Sequence, residues 1–190
     1  MHLQSGCVQP DAITLAAIVR VATDHGSYAS GIVVDTNRVL TAAHAIQGGG
    51  HYYVSSDGAY RTADLVMIDH AADLAVLAVD TSAIAPLRVA GLNPEVRTPV
   101  WAAGYPRAQG MRTSTGEFKQ VHGAALHSSA TIDSGQSGGG LLSCTEGRWQ
   151  LVGMLRGYGA SLDGDQYVKL ENHSVSVAGT TINHFLHNYH

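Results

Sequence analysis

Charge is scarce in this 190-residue chain: Asp, Glu, Lys and Arg together supply 14% of it, against about a quarter of a typical globular sequence. Lys and Arg number 11 against 15 Asp and Glu, a net charge of −4 that leaves no basic footprint and argues against nucleic acid as a partner. Long apolar runs are missing too. None approaches the roughly 20 residues that a membrane-spanning helix needs, so membrane insertion is not expected. Cysteine is nearly absent, with Cys7 and Cys144 alone. Two thiols are too few for a disulfide framework and the wrong number for a tetrahedral zinc site. They form either one disulfide, tying the N-terminal arm to the second half of the chain, or two unrelated buried thiols. The opening Met1-His2-Leu3-Gln4-Ser5-Gly6-Cys7 has no basic n-region and no apolar h-region, so no signal peptide is visible.

What is present is apolar and rich in glycine. Apolar residues reach 45%, enough for a real core, and 22 glycines suit short strands and turns better than salt-bridged helices. Short apolar stretches recur at 16–22, 31–34, 38–40, 52–55, 65–68, 74–79, 100–104, 140–143 and 150–155. Turn sequences lie between them: Asp35-Thr36-Asn37, Gly48-Gly49-Gly50, Ser56-Asp57-Gly58, Thr145-Glu146-Gly147 and Asp163-Gly164-Asp165. That rhythm predicts an all-β sandwich or barrel. Ala90-Gly91-Leu92-Asn93-Pro94 is the best boundary between halves, giving 12–92 and 93–190. From about Ala178, Ile182, Phe185 and Leu186 recur at spacings of three and four, which predicts one short amphipathic helix.

Three segments carry chemistry. In Val39-Leu40-Thr41-Ala42-Ala43-His44 an apolar run ends in small residues that leave room for an imidazole, the side chain best suited to move a proton near neutral pH. In Asp69-His70-Ala71-Ala72-Asp73-Leu74-Ala75-Val76-Leu77 a carboxylate stands at the mouth of an apolar strand, where orienting an imidazole N–H would satisfy it. In Asp133-Ser134-Gly135-Gln136-Ser137-Gly138-Gly139-Gly140-Leu141 glycines on both sides of a serine permit a tight bend, an exposed Oγ and convergent N–H groups. Each segment alone has an ordinary structural explanation. Together they answer one demand, because a serine nucleophile needs a base and the base needs an orienter.

With these residues in view, the sequence resembles the trypsin-like (chymotrypsin-fold) serine endopeptidases. Thr41-Ala42-Ala43-His44 matches the motif of the family's general base, Asp73-Leu74-Ala75-Val76-Leu77 its aspartate motif, and Gly135-Gln136-Ser137-Gly138-Gly139 its nucleophile motif. Ala29-Ser30-Gly31-Ile32-Val33-Val34 and Leu151-Val152-Gly153-Met154 are similar to strands beside them. The resemblance implies two six-stranded antiparallel Greek-key barrels with a short C-terminal helix, and a cleft between them. It implies His44 as base and then acid, Asp73 as orienter and Ser137 as nucleophile, with an oxyanion hole from the N–H groups of Gly135 and Ser137. Polypeptide is the implied substrate, and no cofactor or metal is implied.

Departures narrow the branch. Gln136 stands where digestive trypsins have an aspartate that pairs with a newly cut amine, so activation by that insertion is not expected. The short spacing from His44 to Asp73 and the missing paired cysteines resemble the bacterial HtrA-like and glutamyl-endopeptidase-like proteases, here without a PDZ module. Such relatives favour a secreted or periplasmic location. Thr131, six residues before Ser137, with Ile132 and Leu155 predicts a pocket for small or apolar side chains, and Arg156 beside it would attract an acidic one. His127 and His173 are read as structural or exposed. His184, His187 and His190 step by about 300 degrees each around a helix and so do not converge on a metal. A rival reading is a catalytically silent or latent peptide-binding module of the same fold. An esterase is disfavoured because a loop into a strand, not a helix, follows Ser137.

Overall fold

The computed structural model describes residues 7–188, apart from the side chain of Ala108. Strands form where β-branched and apolar residues run between turn signals. The first six are β1 (Ile18–Thr23), β2 (Tyr28–Asp35), β3 (Arg38–Ala42), β4 (Tyr52–Ser55), β5 (Arg61–Asp69) and β6 (Leu74–Ala78). They close into an antiparallel barrel in the order β1-β2-β3-β6-β5-β4, sealed where Val21 of β1 pairs with Val54 of β4. The second six are β7 (Pro99–Gly104), β8 (Arg112–His122), β9 (Ala125–Ser128), β10 (Gly140–Thr145), β11 (Arg148–Asp163) and β12 (Gln166–Ala178). They close in the order β10-β11-β12-β9-β8-β7, sealed where Gly140 pairs with Ala103. Read from its first strand, the second barrel repeats the strand order of the first.

All nine apolar stretches contribute to strands, although Ala16 ends a short helix, α1 (Ala12–Ala16), capped by Asp11 Oδ1 accepting from Thr14 N–H at 2.7 Å. Three strands carried no apolar signal: β8, β9 and β12. Their inward positions include small hydroxyls; Ser128, Ser174 and Ser176 are fully buried, and Ser128 and Ser174 bond Oγ to Oγ at 2.7 Å. The expected terminal helix is α2 (Gly179–His187), which buries Ile182 and Phe185. His190 lies outside the described residues.

The largest core is shared between the barrels. Ile32, Leu40, Leu74 and Leu77 of the first pack in one cluster with Leu142, Leu151, Met154 and the α2 residues Ile182 and Phe185. The connection 79–98 is stitched to both sides, by Leu87 N–H to the Val33 carbonyl and Ala90 N–H to the Leu151 carbonyl, each near 2.9 Å. Cys7 and Cys144 form a disulfide with Cα atoms 6.1 Å apart, which decides between the two readings of the cysteines. Among the described residues no helix is long and apolar enough to cross a membrane.

Candidate active site

The first barrel supplies an imidazole and a carboxylate. Chain leaving β3 enters a single turn of 3-10 helix at Ala43–Ile46, and the small, buried Ala42 and Ala43 bring His44 to the surface. Asp73 closes the turn between β5 and β6 with φ +60°, a left-handed conformation that Asp tolerates better than most residues. Its own carbonyl accepts from Ala43 N–H at 3.2 Å, so the two segments are sewn together at the backbone. Asp73 is 4% exposed, and both of its carboxylate oxygens are bonded. Oδ1 accepts from the His44 backbone N–H at 2.8 Å, and Oδ2 meets His44 Nδ1 at 2.7 Å. Burial pushes this carboxyl up, but the His44 side-chain and backbone hydrogen bonds, the His44 charge and Arg156 outweigh it and hold it below its ordinary 3.8.

The second barrel supplies Ser137 on an irregular loop. Gly135 (φ +94°) and Gly138 (φ +88°) both need the left-handed region, and a Cβ would run into the Arg107 N–H at the first and the Ser30 carbonyl at the second. Arg107 N–H donates to the Ser134 carbonyl at 3.1 Å, and Gly139 N–H to the Gln136 carbonyl at 2.9 Å. In a trans peptide the C=O and N–H point opposite ways. The N–H groups of Gly135 and Ser137 are thereby turned away from those partners, and neither finds an acceptor among the described residues. Gln136 is wholly buried and folds its Oε1 back onto Asp133 N–H at 2.6 Å, while its Nε2 has no partner there.

A residue that the sequence reading used only as part of a strand holds this loop. Ser30 of β2 is fully buried; its N–H donates to the Ser137 carbonyl at 2.8 Å, and its Oγ donates to the Gly135 carbonyl at 3.1 Å. The same Oγ accepts from Tyr105 N–H at 2.8 Å, and Thr41 Oγ1 donates to the Ser30 carbonyl at 2.8 Å. Ser30 therefore joins the histidine's barrel to the serine's loop. A hydroxyl alone between Ala29 and Gly31 in a buried strand was the only hint.

Ser137 Oγ donates to the Arg156 carbonyl at 2.9 Å and makes no hydrogen bond to His44 among the described residues. Arg156 begins the stretch of β11 beyond the barrel wall, and its Nε lies 3.3 Å from Asp73 Oδ2. Two adjoining hollows flank this contact. One, of about 560 Å³, is lined by His44, His70, Asp73, Arg156, Gly157 and Tyr158; the other, of about 340 Å³, by Tyr28, His44, Gly135, Ser137, Gly157 and Tyr158 among others.

The expected pocket is redrawn by these positions. Ile132 and Leu155 are 2% and 0% exposed and pack with Val100, Leu126 and Leu141 inside the second barrel, so they are core, not cleft. Leu155 is the last inward residue of an apolar strand, and burial there outweighs any role at the surface. Thr131 is half-buried and occupied by Asn172, accepting from its N–H at 3.1 Å and bonding its Oδ1 at 3.2 Å. Of the four predicted pocket residues only Arg156 lines the cleft, and its guanidinium faces Asp73. Beside the nucleophile loop Asp133 instead joins two cations, Lys169 at 2.6 Å and Arg112 at 2.9 Å. The Lys169 bond first, and then the charges of Lys169 and Arg112 against some burial, keep Asp133 below its ordinary value. His127 Nδ1 and His173 Nε2 lie 3.0 Å apart with His122 beside them, and burial, then the neighbouring rings, pushes His127 down.

Two closed barrels with an imidazole–carboxylate pair on one and a glycine-braced serine on the other define a chymotrypsin-like fold. The chain matches the trypsin-like peptidase domain over residues 29–154, about two thirds of its length. It belongs to that family, a membership that implies polypeptide substrates. Among solved structures it is similar to the Rv3671c protease of M. tuberculosis in its active form, at 20% identity and a TM-score of 0.79, over 94% of this chain and 82% of that one. A serine-to-alanine mutant of the same protease in its inactive form matches at 19% identity and a TM-score of 0.76, over 96% and 95%. The serine endoprotease from Yersinia pestis matches at 23% identity and a TM-score of 0.77, over 95% and 67%. At such identities the likeness speaks for the fold. Among curated proteins no sequence matches.

Proposed function

We propose that this trypsin-like peptidase is a serine endopeptidase that cuts polypeptides through an acyl-enzyme, with His44, Asp73 and Ser137 as its triad. The observation that carries the reading is the doubly bonded Asp73 carboxylate, which fixes both the backbone and the ring of His44. With Nδ1–H committed to Asp73, His44 presents Nε2 as the free base. Ser137 Oγ leaves the Arg156 carbonyl by rotation of its side chain and turns to that nitrogen, a tightening common when substrate arrives. Oγ attacks the scissile carbonyl carbon as its proton passes to His44. The oxyanion takes the unpaired N–H groups of Gly135 and Ser137. Collapse breaks the C–N bond, His44 returns the proton to the leaving amine, and water then repeats the sequence on the ester.

The hydrogen bond from Ser137 Oγ to the Arg156 carbonyl also favours a second reading, a latent or silent module that holds peptide without cutting it. Incubation with an unfolded polypeptide separates the two. The first reading expects new N-termini from the parent and none from Ser137→Ala. Peptide bound by the parent without cleavage would support the second.

A further inference from the structure

We propose that a cationic hollow beside the nucleophile loop binds an acidic side chain of the polypeptide substrate, with Arg107 as the residue that receives it. This rests on the endopeptidase reading above and adds a preference to it. The hollow, of about 400 Å³, is lined by Arg107, Arg112 and Lys169 against a single acid, Asp133. Three of the chain's 11 Lys and Arg thus meet in one place on a protein of net charge −4. Three positive charges against one negative leave the lining with two positive charges in excess. A carboxylate is the side chain such a lining selects, and a lysine or arginine is the one it repels.

The three cations are not equivalent. Asp133 holds two of them, Lys169 Nζ at 2.6 Å on Oδ1 and Arg112 at 2.9 Å on Oδ2. Each spends one N–H there and keeps others to offer. Arg107 makes no side-chain hydrogen bond or ion pair among the described residues, so its whole guanidinium is available to both oxygens of an incoming carboxylate. Its backbone stands in the left-handed region at φ +44°, uncommon for a residue other than glycine. The hydrogen bond from Arg107 N–H to the Ser134 carbonyl ties this turn to the loop that carries Ser137.

The hollow adjoins the one that holds Ser137. Asp133, Ser134 and Tyr158 line both and form the wall between them. A peptide lying at Ser137 can therefore send a side chain past Ser134 and Tyr158 to Arg107 within a few residues of the cut. Arg156 faces Asp73 in the other direction, so the attraction for acidic side chains that its place in the sequence suggested falls to Arg107. Arg107 is exposed, and solvent screens it. An exposed pair of this kind changes a rate by about two- to fivefold.

The test is a random decapeptide library digested by the protein, with the residues around each new terminus counted. Glu and Asp should be favoured over Gln and Asn about two- to fivefold at one position relative to the cut. In Arg107→Gln that ratio should fall towards one, and in Arg107→Glu below it. Because the ratio is read within one digest, a change in loop shape that slows all cutting cancels. In about 1 M salt the parent's ratio should also fall. No favoured position in the parent, or a ratio that both variants leave where it was, overturns the proposal. Should neither variant fold, the salt response decides: a ratio indifferent to salt overturns it.

A second readout needs no cutting. The library is passed over immobilised Ser137→Ala protein and the retained peptides are sequenced. They should be enriched in Glu and Asp, and adding Arg107→Gln should remove the enrichment. Acid enrichment that depends on Arg107, together with a parent that never cuts, would sink the nucleophile reading and leave the hollow standing. Cutting with no acid preference would do the reverse.

Discussion

The two barrels share one strand order, yet they hold the residues of the proposed triad in opposite ways. In the first, His44 and Asp73 are locked by regular neighbours: a strand end, a one-turn helix and two hydrogen bonds to one buried carboxylate. In the second, Ser137 sits on a loop with two left-handed glycines, and its shape depends on Ser30 from the other barrel. One side of the cleft is set by its own fold. The other is set across the interface.

Substitutions should show the asymmetry in order of size. Ser137→Ala should cut peptide hydrolysis by about four orders of magnitude or more with unchanged circular dichroism. Asp73→Asn should cost about three to four orders, because the amide cannot accept from both the His44 N–H and the ring. Ser30→Ala is the variant that tests the comparison itself. It leaves His44 and Asp73 bonded but frees the Gly135 carbonyl and the Tyr105 N–H, so activity should fall about 10- to 100-fold. The unfolding free energy should fall with it, by about 1–3 kcal/mol. An effect on stability alone would mean that the loop keeps its shape without the hydroxyl. Breaking the Cys7–Cys144 disulfide with Cys144→Ser should lower stability by about 2–5 kcal/mol in a thermal melt and leave kcat/KM nearly unchanged.

A pH series sharpens the contrast further. Asp73 and Asp133 are both held below their ordinary values, one on each side of the cleft. A carboxyl lowered in the folded state binds fewer protons there than in the unfolded chain. Its contribution is complete above the unfolded value and is lost as pH falls through the folded one. Thermal melts should therefore show stability declining below about pH 4. Asp133→Asn should flatten only part of that decline, because Asp133 is the more exposed of the two.

How much of this was legible in the sequence follows from what each residue needs. Thr41-Ala42-Ala43-His44, the Asp73 segment and the Gly135–Gly139 run could be read because the proposed nucleophile, base and orienter restrict residue types locally. Apolar stretches cut by Asn, Asp and Gly led to an all-β sandwich or barrel, and only the family resemblance led to two six-stranded barrels. Strand β8 escaped because Phe118 is its one buried residue, and β9 and β12 because buried Ser128, Ser174 and Ser176 interrupt the apolar pattern. The pocket was misjudged because neither a place shortly before Ser137 nor a place on the strand after it says which face a side chain takes; Ile132 and Leu155 turn inward. Ser30 and the link from Arg156 to Asp73 depend on two barrels meeting, a relation that no local pattern encodes. The cysteines needed a distance, and 6.1 Å between their Cα atoms supplied it.

The central claim is that Ser137 is an activated nucleophile facing a formed oxyanion hole. Its most direct measurement is fluorophosphonate labelling of the purified protein followed by peptide mapping. The account predicts one adduct per chain, on Ser137, and none in Ser137→Ala. A well-folded parent that stays unlabelled, or an adduct on any other residue, would contradict it.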